Sequence, residues 1–291
     1  MICPMFDPRL RGRRAAIRNI WFKLRFARRA AAALGFVLLA FPVQAASAAA
    51  ARLPQPDHVV VVVMENHALG EIVDSDRAPF IDFLAKGGAL FVNAFAVSHP
   101  SEPNYFALFS GSTQGVHDNN DYTFDAPTLA GALAASRKSF IGYVETGSPR
   151  KHKPWKSFTN SRDVERNLGE FPSDFSLLPT VSFVIPNLDH DMHDRSVRDG
   201  DSWLEAHLGA YALWAKTHNS LLIVTFDEDD YSAGNRIPTI FYGARVRPGR
   251  YAERISHYNV LSTLLAMYAL APFGEAAAAP PIRAIWVQTA P

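Results

Sequence analysis

Five consecutive valines, Val59 to Val63, stand between His58 and Met64 with no polar residue among them. A β-branched run without alternation predicts a strand covered on both faces, as in parallel sheets. Leu221 to Phe226 is a second run of this kind. The first run ends in Glu65-Asn66-His67 and the second in Asp227-Glu228-Asp229-Asp230. Shorter strands are predicted over 89–97, 139–144, 180–185 and 237–242. Helical spacing predicts helices over 80–86, closed by Gly87-Gly88, over 203–216, and over 258–270 with Ser256 as its cap. This alternation predicts a layered α/β domain, and ligands of open parallel sheets bind at the carboxyl ends of the strands. Residues 145–176 fit neither period and carry Arg150, Lys151, His152 and Lys153 together, the mark of a functional surface loop. After Gly274 the chain is predicted to pack as an irregular tail.

The N-terminus follows a different pattern. Nine Arg or Lys and one acid, Asp7, fall within residues 1–45, and the apolar stretch Ala30–Phe41 is followed by small residues. A basic region, a short apolar core and small residues form the order of a secretory signal. The core is shorter than the roughly 20 apolar residues a spanning helix needs, which favours removal after Ala45 or Ala48 over retention as an anchor. The single Cys, Cys3, lies inside this segment, so a processed chain has no thiol for disulfides, thiolate metal sites or nucleophilic attack. The expected organisation is a signal over 1–45 and one catalytic domain over 46–291, in the periplasm or secreted, with no membrane span after processing.

The whole chain of 291 residues has 29 basic and 28 acidic residues, which hides the asymmetry. Without the leader, 20 basic residues face 27 acidic ones, a net charge of −7. A nucleic-acid partner is therefore not expected.

The chemistry narrows by elimination. The chain has no G-x-S-x-G elbow, no G-x-x-x-x-G-K-[ST] loop, no G-x-G-x-x-G and no H-E-x-x-H. Hard oxygen ligands remain at the two strand ends, Glu65, Asn66, Asp227 and Glu228, and they suit Mg²⁺, Ca²⁺ or Mn²⁺. Solvated acidic turns are the alternative. Ser101, in His99-Pro100-Ser101-Glu102-Pro103-Asn104, precedes the apolar stretch Tyr105 to Phe109. A hydroxyl at a helix start is a cap in one reading and, in the other, a nucleophile backed by the helix terminus. Asp189-His190-Asp191-Met192-His193-Asp194 is too polar for core packing and points to a site, with a solvated turn as the alternative. His257, opening the last predicted helix, either binds an anion or merely occupies the cap region.

At these residues the chain resembles the bacterial phosphoesterase family, which includes acid phosphatases and phosphatidylcholine-type phospholipases C and belongs to the alkaline phosphatase superfamily. Glu65-Asn66-His67, Ser101-Glu102-Pro103-Asn104, Asp191-Met192-His193-Asp194 with Gly200-Asp201-x-Trp203-Leu204, Asp227-Glu228 and His257-Tyr258 occur in the family's order over roughly residues 56–286. The resemblance implies a three-layer α/β/α sandwich with a mostly parallel central sheet. It implies one divalent metal on Glu65, Asn66, Ser101, Asp227 and Glu228, with Ser101 also the nucleophile that becomes a phosphoserine. His190, His193 and His257 would serve the phosphate or the leaving oxygen, Asp191 and Asn104 would bind substrate, and His152 would reach in from the long loop. The expected substrate is a small phosphate ester or a phospholipid head group, with acid phosphatase ranked first. Phospholipase C ranks second, because the chain is shorter than the lipases, and Trp155 and Phe158 are its only obvious lipid-contacting residues. A secreted protein that binds metal and phosphate without turnover is the reading outside enzymes.

Overall fold

A computed structural model describes residues 52–287; the expected signal lies outside them. Nine strands form one sheet: β1 (His58–Met64), β2 (Ala89–Phe95), β3 (Phe140–Val144), β4 (Glu165–Asn167), β5 (Val181–Ile185), β6 (Ser220–Phe226), β7 (Arg236–Gly243), β8 (Gly249–Tyr251) and β9 (Ile255–Ser256). Their order is β4-β3-β5-β1-β6-β7-β2-β8, with β9 also beside β2. Every pairing is parallel except the two made by β7, with β6 and with β2.

The helices are α1 (Leu69–Ile72), α2 (Pro79–Gly87), α3 (Ser101–Ser110), α4 (Leu129–Ala135), α5 (Val197–Ala215) and α6 (His257–Met267). Helix α2 packs on α5, while α3 packs on α4 and α6, giving helical layers on the two faces of the mostly parallel sheet. The five valines of β1 are all within 1% of full burial, as an unbroken apolar strand in the centre of a sheet requires. Burying each contributes roughly 1.5–3 kcal/mol relative to exposure.

Two expectations are corrected by the fold. Helix α5 starts at Val197, ahead of its apolar periodicity, because Ser196 caps it and accepts from the Asp199 N–H. Residues 145–176 form short 3-10 turns and the edge strand β4, and Trp155 and Phe158 are fully buried, so neither is available to lipid. No helix among the described residues is long and apolar enough to cross a membrane.

The Gly200-Asp201 pair has a structural reason. A Cβ on Gly200 would lie 2.4 Å from the Met192 side chain and 2.9 Å from the His190 carbonyl, so only glycine lets the 190–193 segment lie against α5. Asp201 accepts from the Phe80 and Ile81 amides at 3.0 and 2.8 Å, capping the start of α2.

Candidate active site

Strands β1 and β6 pair in register to their last residues, Met64 opposite Phe226. Glu65 and Asp227 therefore leave adjacent strands at the same height. The Asp227 N–H donates to the Met64 carbonyl at 2.9 Å, and the Glu65 N–H donates to the Asp191 carbonyl at 2.8 Å, which brings the segment after β5 to the same edge. Asn66 takes a left-handed conformation, φ 57°, and its N–H donates to Asp227 Oδ1 at 3.1 Å. The Glu228 N–H donates to the same oxygen at 2.6 Å.

Ser101 opens α3 and is buried. Its hydroxyl lies 3.2 Å from Glu65 Oε2 and 3.1 Å from Glu228 Oε1. Having one hydrogen, it donates to one carboxylate and leaves the other oxygen without that donor. The other Glu228 oxygen is 2.7 Å from His99 Nδ1, and His99 Nε2 lies 3.2 Å from Asp229. The exposed ring of Tyr231 stacks on His99 with centroids 3.9 Å apart.

A third side comes from the long connection. His152 is fully buried, its Nε2 3.0 Å from Glu65 Oε1 and its Nδ1 3.4 Å from Asp191 Oδ2. The Tyr105 ring stacks on it, and the Tyr105 hydroxyl donates to Glu65 Oε1 at 2.6 Å.

Four carboxylates, Glu65, Asp191, Asp227 and Glu228, thus meet in one buried place. Burial pushes Asp227 well above the usual carboxylate range, and raises Asp191 and Glu228 as well. Burial works the same way on Glu65, but the His152 ring and the Tyr105 hydroxyl outweigh it and hold that carboxyl at about 2. Burial alone would depress His152, yet Glu65 and Asp191 beside it raise it instead.

The donor set fits a divalent cation. Asp227 Oδ2 is buried without a hydrogen bond, a costly state for a carboxylate oxygen unless something positive lies beside it. Glu65, His152 and Asp191 each offer a ligand atom within 4.8 Å of the others.

Of the residues singled out in the sequence, Glu65, Ser101, His152, Asp191, Asp227 and Glu228 come together. Asn66 joins through its main chain. His257 sits behind the cluster, Nε2 2.8 Å from the Asp227 carbonyl, and burial holds its ring at about 4. A neutral ring already donating to a carbonyl is poorly suited to protonate a leaving oxygen. Asn104 is held by the main chain around it: its amide oxygen accepts from the Val97 and Ser98 N–H groups, and its nitrogen donates to the Ser98 and Pro100 carbonyls. The amide is fully occupied in folding the loop that presents Ser101. In the Asp189–Asp194 run only Asp191 faces the cluster. His190 pairs with Glu145 at 2.8 Å beside Trp203, and the half-exposed His193 ring pairs with Asp194 at 2.6 Å. Tyr105 and His99 were not expected in the site. The spacing of Tyr105, four residues after Ser101 and one helical turn on, was the available signal for the first.

Residues 71–271 match the sequence signature of the phosphoesterase family. The chain is 50% identical over 255 residues to a phosphatidylinositol-3-phosphatase of Mycobacterium tuberculosis (strain ATCC 25618 / H37Rv), covering 82% of this chain and 85% of that one. It is 29% identical over 226 residues to a phosphate-repressible acid phosphatase of Penicillium chrysogenum, covering 66% of this chain and 55% of that one, so it spans about half the length of that fungal enzyme. Among solved structures, a protein in the alkaline phosphatase superfamily from Vibrio parahaemolyticus superposes with TM-score 0.53 at 15% identity, over 74% of this chain and 66% of that one. The serine among strand-end carboxylates, the alkaline-phosphatase-like fold and these relatives together place the chain in the phosphoesterase family, as a phosphoric ester hydrolase.

Proposed function

We propose that the chain is an exported, divalent-metal-dependent phosphomonoesterase of the acid phosphatase type, working through a phosphoserine at Ser101. The observation that carries this reading is the Ser101 hydroxyl held between Glu65 and Glu228 beside the unpartnered Asp227 oxygen. Glu65, Ser101, Asp227 and Glu228 would hold the cation. When bound, it supplies positive charge that lowers the serine pKa and neutralises phosphate.

The chain's own residues supply the rest. Glu228 accepts the Ser101 hydrogen as the oxygen attacks phosphorus, and the start of α3 directs its positive end toward the developing charge. The Ser101 O–P bond forms, the P–O bond to the alcohol breaks, and the departing oxygen takes a proton from solvent. Water then attacks phosphorus and gives a proton to solvent, the Ser101 O–P bond breaks, and the serine oxygen takes its hydrogen back from Glu228. His152, held buried against Tyr105, keeps Glu65 and Asp191 in place around these atoms.

The substrate class is a phosphate monoester, including one on a lipid head group. The name of the mycobacterial relative supports that choice. Phospholipase C ranks below it, since the two aromatic residues proposed to meet acyl chains are buried. Export rests on the leader pattern. The test uses an aryl phosphate, phosphatidylinositol 3-phosphate in vesicles and phosphatidylcholine, each with and without chelator, together with acid trapping of a phosphoenzyme. Hydrolysis of both monoesters, lost with chelator and in Ser101→Ala, is expected. Full activity in Ser101→Ala rejects the mechanism, cleavage of phosphatidylcholine alone favours the lipase, and turnover of nothing leaves a binding protein.

A further inference from the structure

Arg150 lies outside the cluster, with about a quarter of its side chain exposed, yet its three guanidinium nitrogens meet five partners. Nη1 donates to Glu102 Oε1 and, at 3.3 Å, to the Asn120 carbonyl; Nη2 donates to the Tyr122 carbonyl at 2.9 Å and Ser157 Oγ at 2.6 Å; Nε lies 3.0 Å from Asp121. Three separate chain segments converge on one planar group. A lysine, with three donors on a point charge, cannot reproduce that fork.

The partners are placed to matter for the site. Glu102 follows Ser101 in the first turn of α3, is 1% exposed, and has a second carboxylate oxygen buried without any partner. Its N–H donates to Asn119 Oδ1 at 3.0 Å, so the 119–122 loop is attached to the same helix start. On the other side, Arg150 opens the 3-10 turn Arg150–His152, and Ser157 closes the next turn, Pro154–Ser157. His152 stands between these two anchors. A buried carboxylate with one oxygen unsatisfied is an expensive way to stabilise a loop. It is justified where the loop must be held to the helix at one distance.

We propose that Arg150 and Glu102 form a positioning pair that fixes the segment carrying His152 against the helix start carrying Ser101, and so sets the separation of the two halves of the catalytic cluster. Neither residue touches the reacting atoms. The proposal rests on the reading of Ser101 as nucleophile given above.

The test uses Arg150→Lys and Glu102→Gln, singly and combined in the full-length protein, with Ser101→Ala alongside. Turnover of an aryl phosphate is counted per folded molecule, the folded fraction being taken from circular dichroism melting of the same preparation, and acid trapping of the phosphoenzyme is run alongside. Each single variant is expected to lose about tenfold to hundredfold in kcat per folded molecule, with KM within about threefold of wild type. The double variant is expected to be no slower than the slower single, because both remove one interaction. Wild-type kcat per folded molecule in either single variant overturns the pairing, and so does an activity loss wholly accounted for by a smaller folded fraction. Full activity in Ser101→Ala, or no trapped site on the wild type, overturns the underlying reading of the cluster instead.

Discussion

Ser101 and Tyr105 divide one carboxylate between them: the serine hydroxyl lies 3.2 Å from Glu65 Oε2, and the tyrosine hydroxyl donates to Glu65 Oε1 at 2.6 Å. The two residues are one turn apart on α3 and face the same way. The helix that presents Ser101 therefore also orients one of the two carboxylates its hydroxyl meets. Tyr105→Phe is expected to lower activity about 10- to 100-fold at limiting metal, the range for loss of a group that orients a metal ligand. Titration with metal should recover part of the loss. Wild-type activity at low metal would show that Glu65 needs no such support.

Four buried carboxylates are costly without a cation. Chelation is expected to lower the melting temperature of the wild type. Asp227→Asn removes a carboxyl that, without metal, must either take up a proton or stay charged in the interior, so the metal-free variant should be more stable than the metal-free wild type by about 1–3 kcal/mol while losing activity. Differential scanning calorimetry with and without chelator checks both. A melting temperature indifferent to chelator in the wild type would argue against a resident cation.

Asn104 separates a folding role from a substrate role. Asn104→Ala leaves the Val97 and Ser98 amides without their acceptor, at a cost of roughly 2–4 kcal/mol. For a chain of this size that is a fall of roughly 5–15 °C in melting temperature. KM of the folded fraction should stay near wild type. A raised KM with unchanged melting would restore Asn104 as a substrate ligand.

Gly142, in the centre of β3, has no room for a side chain, because a Cβ there would stand 2.3 Å from the buried Trp155 ring. Gly142→Ala is expected to destabilise by about 1–3 kcal/mol through overpacking. It should also reduce turnover, since Trp155 lies in the turn next to His152. Thermal melting and kinetics of the same preparation check the pair of effects.

The parts that were legible in the sequence are those whose cause is local. Buried parallel strands need unbroken apolar runs, so β1 and β6, with the carboxylates at their ends, show in the sequence itself. Ser101 stood out because its helix start has a recognisable punctuation. What stayed hidden depends on residues distant in sequence. The partnership of His99 with Glu228 spans 129 positions and that of Arg150 with Glu102 spans 48. No local period reports such pairings. Helix α4 and the two- and three-residue strands β8 and β9 were missed because short elements are fixed by their neighbours more than by their own composition. The roles of His190 and His193 could not be separated from that of Asp191 by sequence, since a one-residue change of register exchanges which side chain faces inward.

Strand β7 is the one reversed strand among the nine, and its direction decides where variation can occur. Because it runs back from the carboxyl edge, the connection from β6 never leaves that edge. The base of this connection is tied down: the Asp229 carboxylate accepts from the Tyr231, Ala233 and Asn235 amides, and the Asn235 side chain donates to the Ser98 carbonyl at 2.7 Å. Its tip, Asp230 to Gly234, is exposed. Residues could be added there without moving Glu228 on one side or β7 on the other. The fold thus keeps its chemistry on strands that tolerate little change, next to a tip that can lengthen to meet a different alcohol.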